Sequence, residues 1–384
     1  FAGKNLGPTF NLVMSQVLFW ALGFPMWSDH GYSASGAPYF TRDAAGKVAS
    51  VMGALSTSFP DYTIYATDNS NMVILARKGG QVRQLSATVF RHREIAAELR
   101  RHRIYTAGDL EARRVADAQA LQPLFDSYRS PANSDYYPFL DLNAVRSRFL
   151  DRSAKPILAL RTSPVPVLDL LAAAGRGASI RSAPSKGGAM GPKEGFAMLH
   201  LVQTARAIVD YLDGQDQALM RMPPSLRGDA QQIRAHARCS GPAAAQQWMQ
   251  ALYSVAIIVN PGASSAETGR LWRRVNGFPC VQDLPPMGKA WVSLFTAVGM
   301  RDGERMATTA EQVLPMSKNL PSNWRTYALA AAMTGHGVRG DWQRVSMLWA
   351  EYGTEISDQP EAIGEELLFR LLRAHFSAPA TEEG

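Results

Sequence analysis

Two short β-rich runs near the front of the chain constrain the fold most, because much of the rest has helical periodicity. The runs are "DYTIYAT" (61–67) and "NMVILAR" (71–77), joined by polar residues. They predict an antiparallel hairpin of Tyr62–Thr67 and Met72–Arg77. A two-stranded hairpin alone is marginal in water, so further strands must pair with it. We expect those strands to precede the hairpin, and most of them are missing from this sequence. The nearly apolar second run predicts a strand inside the sheet.

The segment before the hairpin is predicted to be mostly helical. Residues 5–28 carry no charge but are interrupted by Asn, Gln, Gly and Pro. A buried helix over Phe10–Leu22 followed by a short strand at "GFPMW" (23–27) fits this pattern better than a membrane span. Apolar residues at helical spacing predict a helix over Arg42–Phe59, which Pro60 ends.

After Gly80 no further strand is predicted. Residues 81–104 and 109–125 each have the pattern of one amphipathic helix, with Thr106 or Asp109 as the cap of the second. The loop "NSDYYPFLDL" (133–142) follows.

The last 190 or so residues are predicted to form one helix after another, separated by short Gly, Pro and Asn connections. The final two helices resemble a tetratricopeptide-type hairpin, and a plain irregular helical domain is the alternative. Six tryptophans are predicted to pack between helices rather than to line a ligand site. They are Trp248, Trp272, Trp291, Trp324, Trp342 and Trp349.

Composition and scattered polar residues exclude several functions. The net charge is +7, but the Arg residues are scattered apart from 91–103, so no nucleic-acid interface is predicted. Cys239 and Cys280 form no ligand cluster, so no metal site is expected. Two free thiols are the simpler interpretation, with a disulfide left open. The first residue is Phe1, so we expect a fragment or a processed chain.

The histidines give no catalytic pattern. His30 has no accompanying nucleophile motif. His92 and His102 are predicted to be solvated on a basic helix face. His200 falls in an apolar helical run and is predicted to be a satisfied core residue.

Several of these features together resemble the end of the catalytic domain in spermidine synthase-like proteins, above all the large bacterial type fused to a membrane transporter-like region. In that family a helix ends in a Phe-Pro pair, a β-hairpin follows, and an Asn-Ser/Thr-Asp loop leads to a Pro and an acidic residue. Here these are Phe59-Pro60, the hairpin 62–77, Asn133–Asp135, Pro138 and Asp141.

The resemblance implies a fold class and a division of the chain. Residues 1–150 would be an α/β remnant, the end of a class I methyltransferase-like doubly wound sheet in which the last hairpin inserts an antiparallel strand. Residues 151–195 would be a linker region with a Gly/Ser/Pro-rich loop. Residues 196–384 would be a mostly α-helical, repeat-like domain.

The implied activity is transfer of an aminopropyl group from decarboxylated S-adenosylmethionine to a polyamine, in polyamine biosynthesis. Carboxylates and an aromatic wall would hold the cationic amine. Asp135, Tyr136 and Tyr137 are therefore the candidate substrate-binding residues, although the loop also has the composition of a structural Asx-rich turn. No catalytic residue is assigned. The Gly-rich run 175–188 follows no predicted strand and is rejected as a cofactor loop.

We therefore expect this fragment to be inactive alone and to bind no cofactor by itself. The alternative is a helical protein-interaction module, with residues 196–384 meeting a protein partner and the front as a degenerate scaffold. The resemblance also implies a cytoplasmic location, tethered to the inner membrane only through an N-terminal region that this sequence lacks.

Overall fold

The predicted hairpin is present, and its alternating pattern explains its place. Strand β2 (Asp61–Ala66) pairs antiparallel with β3 (Met72–Arg77), and Tyr62 lies opposite Ala76. Side chains on a strand alternate between the two faces of the sheet. In β3, Met72, Ile74 and Ala76 are buried while the residues between them are partly exposed, so the face they share is the core face. Strand β2 is buried on both faces from Tyr62 to Ala66. The computed structural model describes residues 12–13, 40–67, 72–80, 82, 87–101, 104–136, 138–139, 155–174, 197–235, 242–353 and 363–376.

The hairpin is part of a four-stranded sheet with one partner on either side. Strand β1 (Leu12–Val13) pairs antiparallel with β3, and β4 (Arg114–Asp117) pairs antiparallel with β2. The strand order is β1-β3-β2-β4. The interior position predicted for β3 is confirmed. The helix predicted over Phe10–Leu22 is wrong at Leu12–Val13, which form β1. The strand predicted at 23–27 lies outside the described residues.

The expectation that strands stop after Gly80 is also wrong. The region predicted as one helix over 109–125 instead forms α3 (Ala107–Glu111), then β4, then α4 (Ala118–Asp126). Asp117 causes the break, because its carboxylate accepts the Ala120 N–H and so caps α4.

The other helices of the front follow the predictions more closely. Helix α1 spans Phe40–Ser58 and ends before the hairpin. The predicted helix 81–104 is confirmed only in part, as a 3₁₀ turn at Ala87–Arg91 followed by α2 (Arg93–Arg101). Thr106 caps α3 in a reciprocal capping box with Asp109, as predicted.

Two short helices connect the front to the rest of the chain. Helix α5 (Lys155–Ala159) continues into a 3₁₀ turn at Leu160–Thr162, and α6 (Val167–Ala174) follows. The Gly-rich part of the predicted linker, 175–195, lies outside the described residues. We call the described residues from Leu12 to Tyr136 the front region and residues 197–353 the helical half.

The helical half is helical at every predicted position, and neighbouring helices pack side by side. Two 3₁₀ segments, Asp216–Arg221 and Pro315–Asn319, join the α-helices. The helices are α7 (Ala197–Leu212), α8 (Pro224–Ala235), α9 (Pro242–Gly262), α10 (Ser265–Asn276), α11 (Pro279–Asp283), α12 (Pro286–Met300), α13 (Gly303–Val313), α14 (Ser322–Val338) and α15 (Trp342–Tyr352).

Aromatic side chains fill the core of the helical half. The ring of Trp324 stacks on Tyr253 at 4.4 Å and meets Trp291 edge-on at 4.7 Å. The predicted packing role is confirmed for Trp248, Trp272, Trp291 and Trp324, which are buried, and Trp349 is partly buried against the core. Trp342 is the exception: it opens α15 with 37% of its surface exposed, because the first turn of that helix faces outward.

A final helix, α16 (Ile363–Phe376), returns to the front region. Arg370 donates to both the hydroxyl and the carbonyl of Ser127, at 3.1 and 3.0 Å, and lies 4.0 Å from the Tyr128 ring centroid. His375 Nε2 lies 2.8 Å from the Ala120 carbonyl oxygen. One continuous apolar cluster therefore runs from α1 through the helical half to α16.

The cysteine prediction needs correction. Cys280, on α11, is buried and disulfide-bonded. Cys239, the sequence's other cysteine, lies outside the described residues. The 41-residue spacing of the two cysteines carried no local signal, so sequence reasoning preferred free thiols.

None of the helices that the structure describes combines the length and the apolar character that crossing a membrane requires.

Candidate functional site

The loop predicted to bind substrate lies along helix α1. The Asn133 N–H donates to the Ser50 carbonyl at 3.1 Å, and the Ser50 hydroxyl donates to the Pro131 carbonyl at 2.5 Å. Ser50 is fully buried on α1. These two bonds fix the start of the loop to α1. The Asx turn considered for the side chains of Asn133 and Asp135 stays a prediction.

Small residues on α1 let the loop approach closely. A Cβ added at Gly46 would lie 3.4 Å from the Ser130 hydroxyl, and one added at Gly53 would lie 4.0 Å from Ala132. The loop backbone is therefore in near contact with α1 over two turns.

The candidate side chains themselves point away from this contact. Asp135 is exposed, and Tyr136 is fully exposed at 101% of its reference surface. Tyr137 lies outside the described residues. The structure thus keeps Asp135 and Tyr136 accessible on a fixed loop.

A second candidate is a charged cleft where the front region meets the helical half. It lies between β4, α6, α7 and the start of α10. Three carboxylates and three guanidinium groups line it, brought together from four distant parts of the sequence. They are Glu111, Asp169, Glu267, Arg114, Arg161 and Arg206.

Each carboxylate of this cleft has an Arg partner. Glu111 lies 3.6 Å from Arg114, and Glu267 lies 3.9 Å from Arg206. Burial raises the pKa of Glu111, although the guanidinium of Arg114 acts against that rise. A polyamine would have to displace Arg from these carboxylates, so the cleft is poorly suited to a polycation.

Arg301 lies beside Asp169 of the cleft and bonds to several helix ends. Its Nη2 donates to the carbonyls of Asn260 and Ala263 at 2.8 and 3.0 Å, and lies 3.6 Å from Asp169. Its backbone is left-handed, with φ of 56°, where α12 ends. Burial lowers the pKa of Arg301, and Asp169 opposes that effect. This cation stabilises the orphan carbonyls where α9 and α12 end.

Other predicted residues fall outside both candidate sites. His92 is exposed, as predicted. The core role predicted for His200 is wrong, because its side chain lies on the solvent side of α7. His30 and His102 lie outside the described residues. No group of three or more His, Cys, Asp or Glu in the described ranges could hold a metal ion.

Sequence reasoning missed the charged cleft altogether. Its Arg residues are separated by up to 92 positions and follow no motif. One local signal was available: Ser264 and Glu267 have the spacing of a capping box, and Glu267 Oε2 accepts the Ser264 N–H at 2.9 Å. That signal locates the start of α10 but says nothing of a cleft.

Comparison with protein-family models, with curated proteins and with solved structures finds no match for this chain.

Proposed function

We propose that the front region is the hairpin end of a spermidine synthase-like transferase domain, acting in aminopropyl transfer to a polyamine. The strand order carries the proposal. The resemblance requires a late hairpin whose antiparallel strand inserts into the sheet, and β3 lies between β1 and β2, antiparallel to both.

The contacts of α1 give further support. The resemblance assigns the helix that ends in Phe59-Pro60, the hairpin and the Asn-Ser-Asp loop to one domain. In the structure the same helix precedes β2 and holds the loop through Ser50. A loop that lies 81 residues further along the sequence is thus joined to the helix that leads into the hairpin, as a common domain requires.

Asp135 and Tyr136 suit the acceptor side of such a site. An exposed carboxylate attracts an ammonium group, and an aromatic face packs on methylenes and on cations. The charged cleft is less suitable, because its carboxylates already have Arg partners. We propose that decarboxylated S-adenosylmethionine binds only to a domain that also supplies a Gly-rich turn and an acidic ribose ligand.

The alternative, a protein-interaction module carried by residues 196–384, receives less support. The aromatic side chains of the helical half mostly point into its core. Trp342 is the one tryptophan that the described helices expose appreciably.

An enzyme assay tests the proposal. The polypeptide encoded by the reading frame extended upstream of Phe1 is incubated with decarboxylated S-adenosylmethionine and putrescine or spermidine. We expect aminopropyl transfer, with kcat/KM for the amine lowered about tenfold by Asp135→Asn, the usual value of one hydrogen bond to a charged group. Glu304→Gln, an exposed carboxylate on α13, is the control. Absence of transfer, or equal effects of the two variants, would refute the proposal.

The cytoplasmic location is part of the same proposal, and the disulfide weighs against it. Disulfides persist mainly in oxidising compartments. Acid quenching of intact cells, followed by alkylation of the unfolded protein, decides the matter, because Cys280 is buried in the native fold. An alkylated Cys280 supports the cytoplasm, whereas a Cys280 still in a disulfide places the helical half in an oxidising compartment.

A further inference from the structure

A second cavity lies away from both sites described above, between the connector after α5 and helices α9, α14 and α16. Its volume is about 230 Å³. An apolar cavity of roughly 150 Å³ accommodates benzene in another protein, so this one has room for a bicyclic ring system. The lining consists of Ala159, Leu160, Thr162, Ser163, Pro164, Val165, Tyr253, Asn323, Thr326, Tyr327, Ala330 and Leu368.

A buried hydroxyl without a partner lies in this lining. Ser163 ends the 3₁₀ turn at Leu160–Thr162 and is only 9% exposed. Its Oγ is buried and has no hydrogen-bond partner. A buried polar group costs free energy unless it is bonded, so such an orphan points to a missing partner inside the cavity. A serine hydroxyl both donates and accepts, so that partner can be of either kind.

Aromatic rings form the wall contributed by α9 and α14. Tyr253 stacks on Trp324 on one side, and the ring of Tyr327 meets it edge-on at 6.1 Å. Tyr327 is held in place because its hydroxyl accepts the Asn260 side-chain N–H at 3.1 Å. Fixed rings of this kind suit a planar ligand that packs by offset or edge contacts.

The lining offers no counter-ion to a charged ligand. None of the lining residues is acidic or basic. A charged ligand would lose its hydration there without gaining a counter-ion, which is costly. A ligand of this cavity is therefore neutral.

We propose that this cavity binds a neutral, planar aromatic molecule of one or two rings, with one polar group that hydrogen-bonds Ser163. The site is independent of the transferase proposal, because no residue of the loop 130–136 lines it.

Indole and indene are the probes, because they share size and shape but only indole has an N–H. Each is titrated into the full chain and followed by calorimetry and by ligand-observed NMR. We expect indole to bind about fivefold more tightly than indene, the usual value of one neutral hydrogen bond. Ser163→Ala should remove that difference and leave indene binding unchanged.

Two further variants keep the test decisive. Ala330→Leu places a larger side chain in the cavity and should weaken both probes at least tenfold, with folding checked by circular dichroism. Thr308→Ala, an exposed hydroxyl on α13, should change neither. The proposal is overturned if neither probe binds, or if Ser163→Ala leaves the preference for indole intact, since the hydroxyl would then serve only an ordered water.

Discussion

The front region and the helical half are held together by different kinds of contact. In the front region, strands from three separate stretches pair, and short helices begin at capping side chains such as Thr106 and Asp117. In the helical half, neighbouring helices approach closely around stacked rings and a buried amide, Asn260. The contacts of the front region depend on segments that are distant in sequence. The contacts of the helical half recur between helices that are neighbours along the chain.

This difference indicates where single substitutions should matter most. A buried polar network or a close backbone approach has no substitute, so its loss is expensive. A cap at the surface can be partly replaced by water. We therefore expect the largest losses of stability in the helical half and smaller ones in the front region.

The largest effect is expected at Asn260. Its side chain donates to the Phe295 carbonyl and to Tyr327, and accepts from Trp272 Nε1 at 2.8 Å. Asn260→Ala removes three buried hydrogen bonds and should lower the free energy of unfolding by about 3–5 kcal/mol. Urea denaturation measures this. The exposed Gln343→Ala is the control, and a loss below about 1 kcal/mol at Asn260 would contradict a helical half built on this network.

The next largest effects are expected at two glycines, Gly335 and Gly228. Substitution by Ala should change stability in opposite directions at the two positions. A Cβ at Gly335 would lie 2.5 Å from the Ala307 nitrogen, so Gly335→Ala must push α13 and α14 apart. We expect a loss of about 2–4 kcal/mol. Gly228, inside α8, has nothing within 4 Å of an added Cβ. Gly228→Ala should stabilise by up to about 1 kcal/mol. If thermal unfolding shows that the two substitutions change stability in the same direction, close packing of α13 on α14 is contradicted.

A smaller effect is expected in the front region at Asp117. This carboxylate caps α4 and lies 2.9 Å from Arg114 Nη2. Asp117→Ala should lower the free energy of unfolding by about 1–2 kcal/mol. Glu98→Gln, in an exposed pair with Arg101, should change it by less than about 0.5 kcal/mol. If both variants behave alike in urea, Asp117 does not define the β4–α4 junction.

The smallest effect is a pH dependence at the contact between α16 and the front region. Burial lowers the pKa of His375, partly offset by its bond to the Ala120 carbonyl. The unfolded chain then binds a proton more readily than the folded chain does. Stability should therefore fall as the pH drops through about 6.5, the unperturbed value for His.

A matched pair of variants isolates this effect. His375→Gln keeps a neutral N–H donor for the Ala120 carbonyl and should flatten the unfolding free energy between pH 7 and pH 5. His200→Gln, at an exposed position on α7, should leave the slope unchanged. An unchanged slope in His375→Gln would show that α16 responds to pH through another group.

The two parts also differ in how much of their structure the sequence predicts. Helical periodicity located every predicted helix of the helical half, because that signal is local. The hairpin was equally visible, since its strands are adjacent in sequence. Strand β4 was not: Arg114–Asp117 is too short to show alternation, and its pairing with β2 spans about 50 residues. The Asp117 cap was the only local sign of the break there.

The candidate sites show the same limit. Asp135 and Tyr136 were predicted from a motif, and the structure shows them accessible on a loop that bonds to α1. The charged cleft and the cavity at Ser163 assemble from distant segments. No single segment of the sequence has a pattern that predicts either the cleft or the cavity. Burial without a hydrogen-bond partner, which singles out Ser163, is visible only in three dimensions.

The insertion of β3 between β1 and β2 is the central claim, and amide hydrogen exchange tests it most directly. Successive amides of a strand point to opposite sides, so of Leu75 and Ala76 one faces β2 and the other faces β1. We predict that NMR-detected exchange finds both amides strongly protected, and that Val13→Pro exposes the one facing β1. Fast exchange of either amide in the unaltered chain would make β3 an edge strand and would contradict the account.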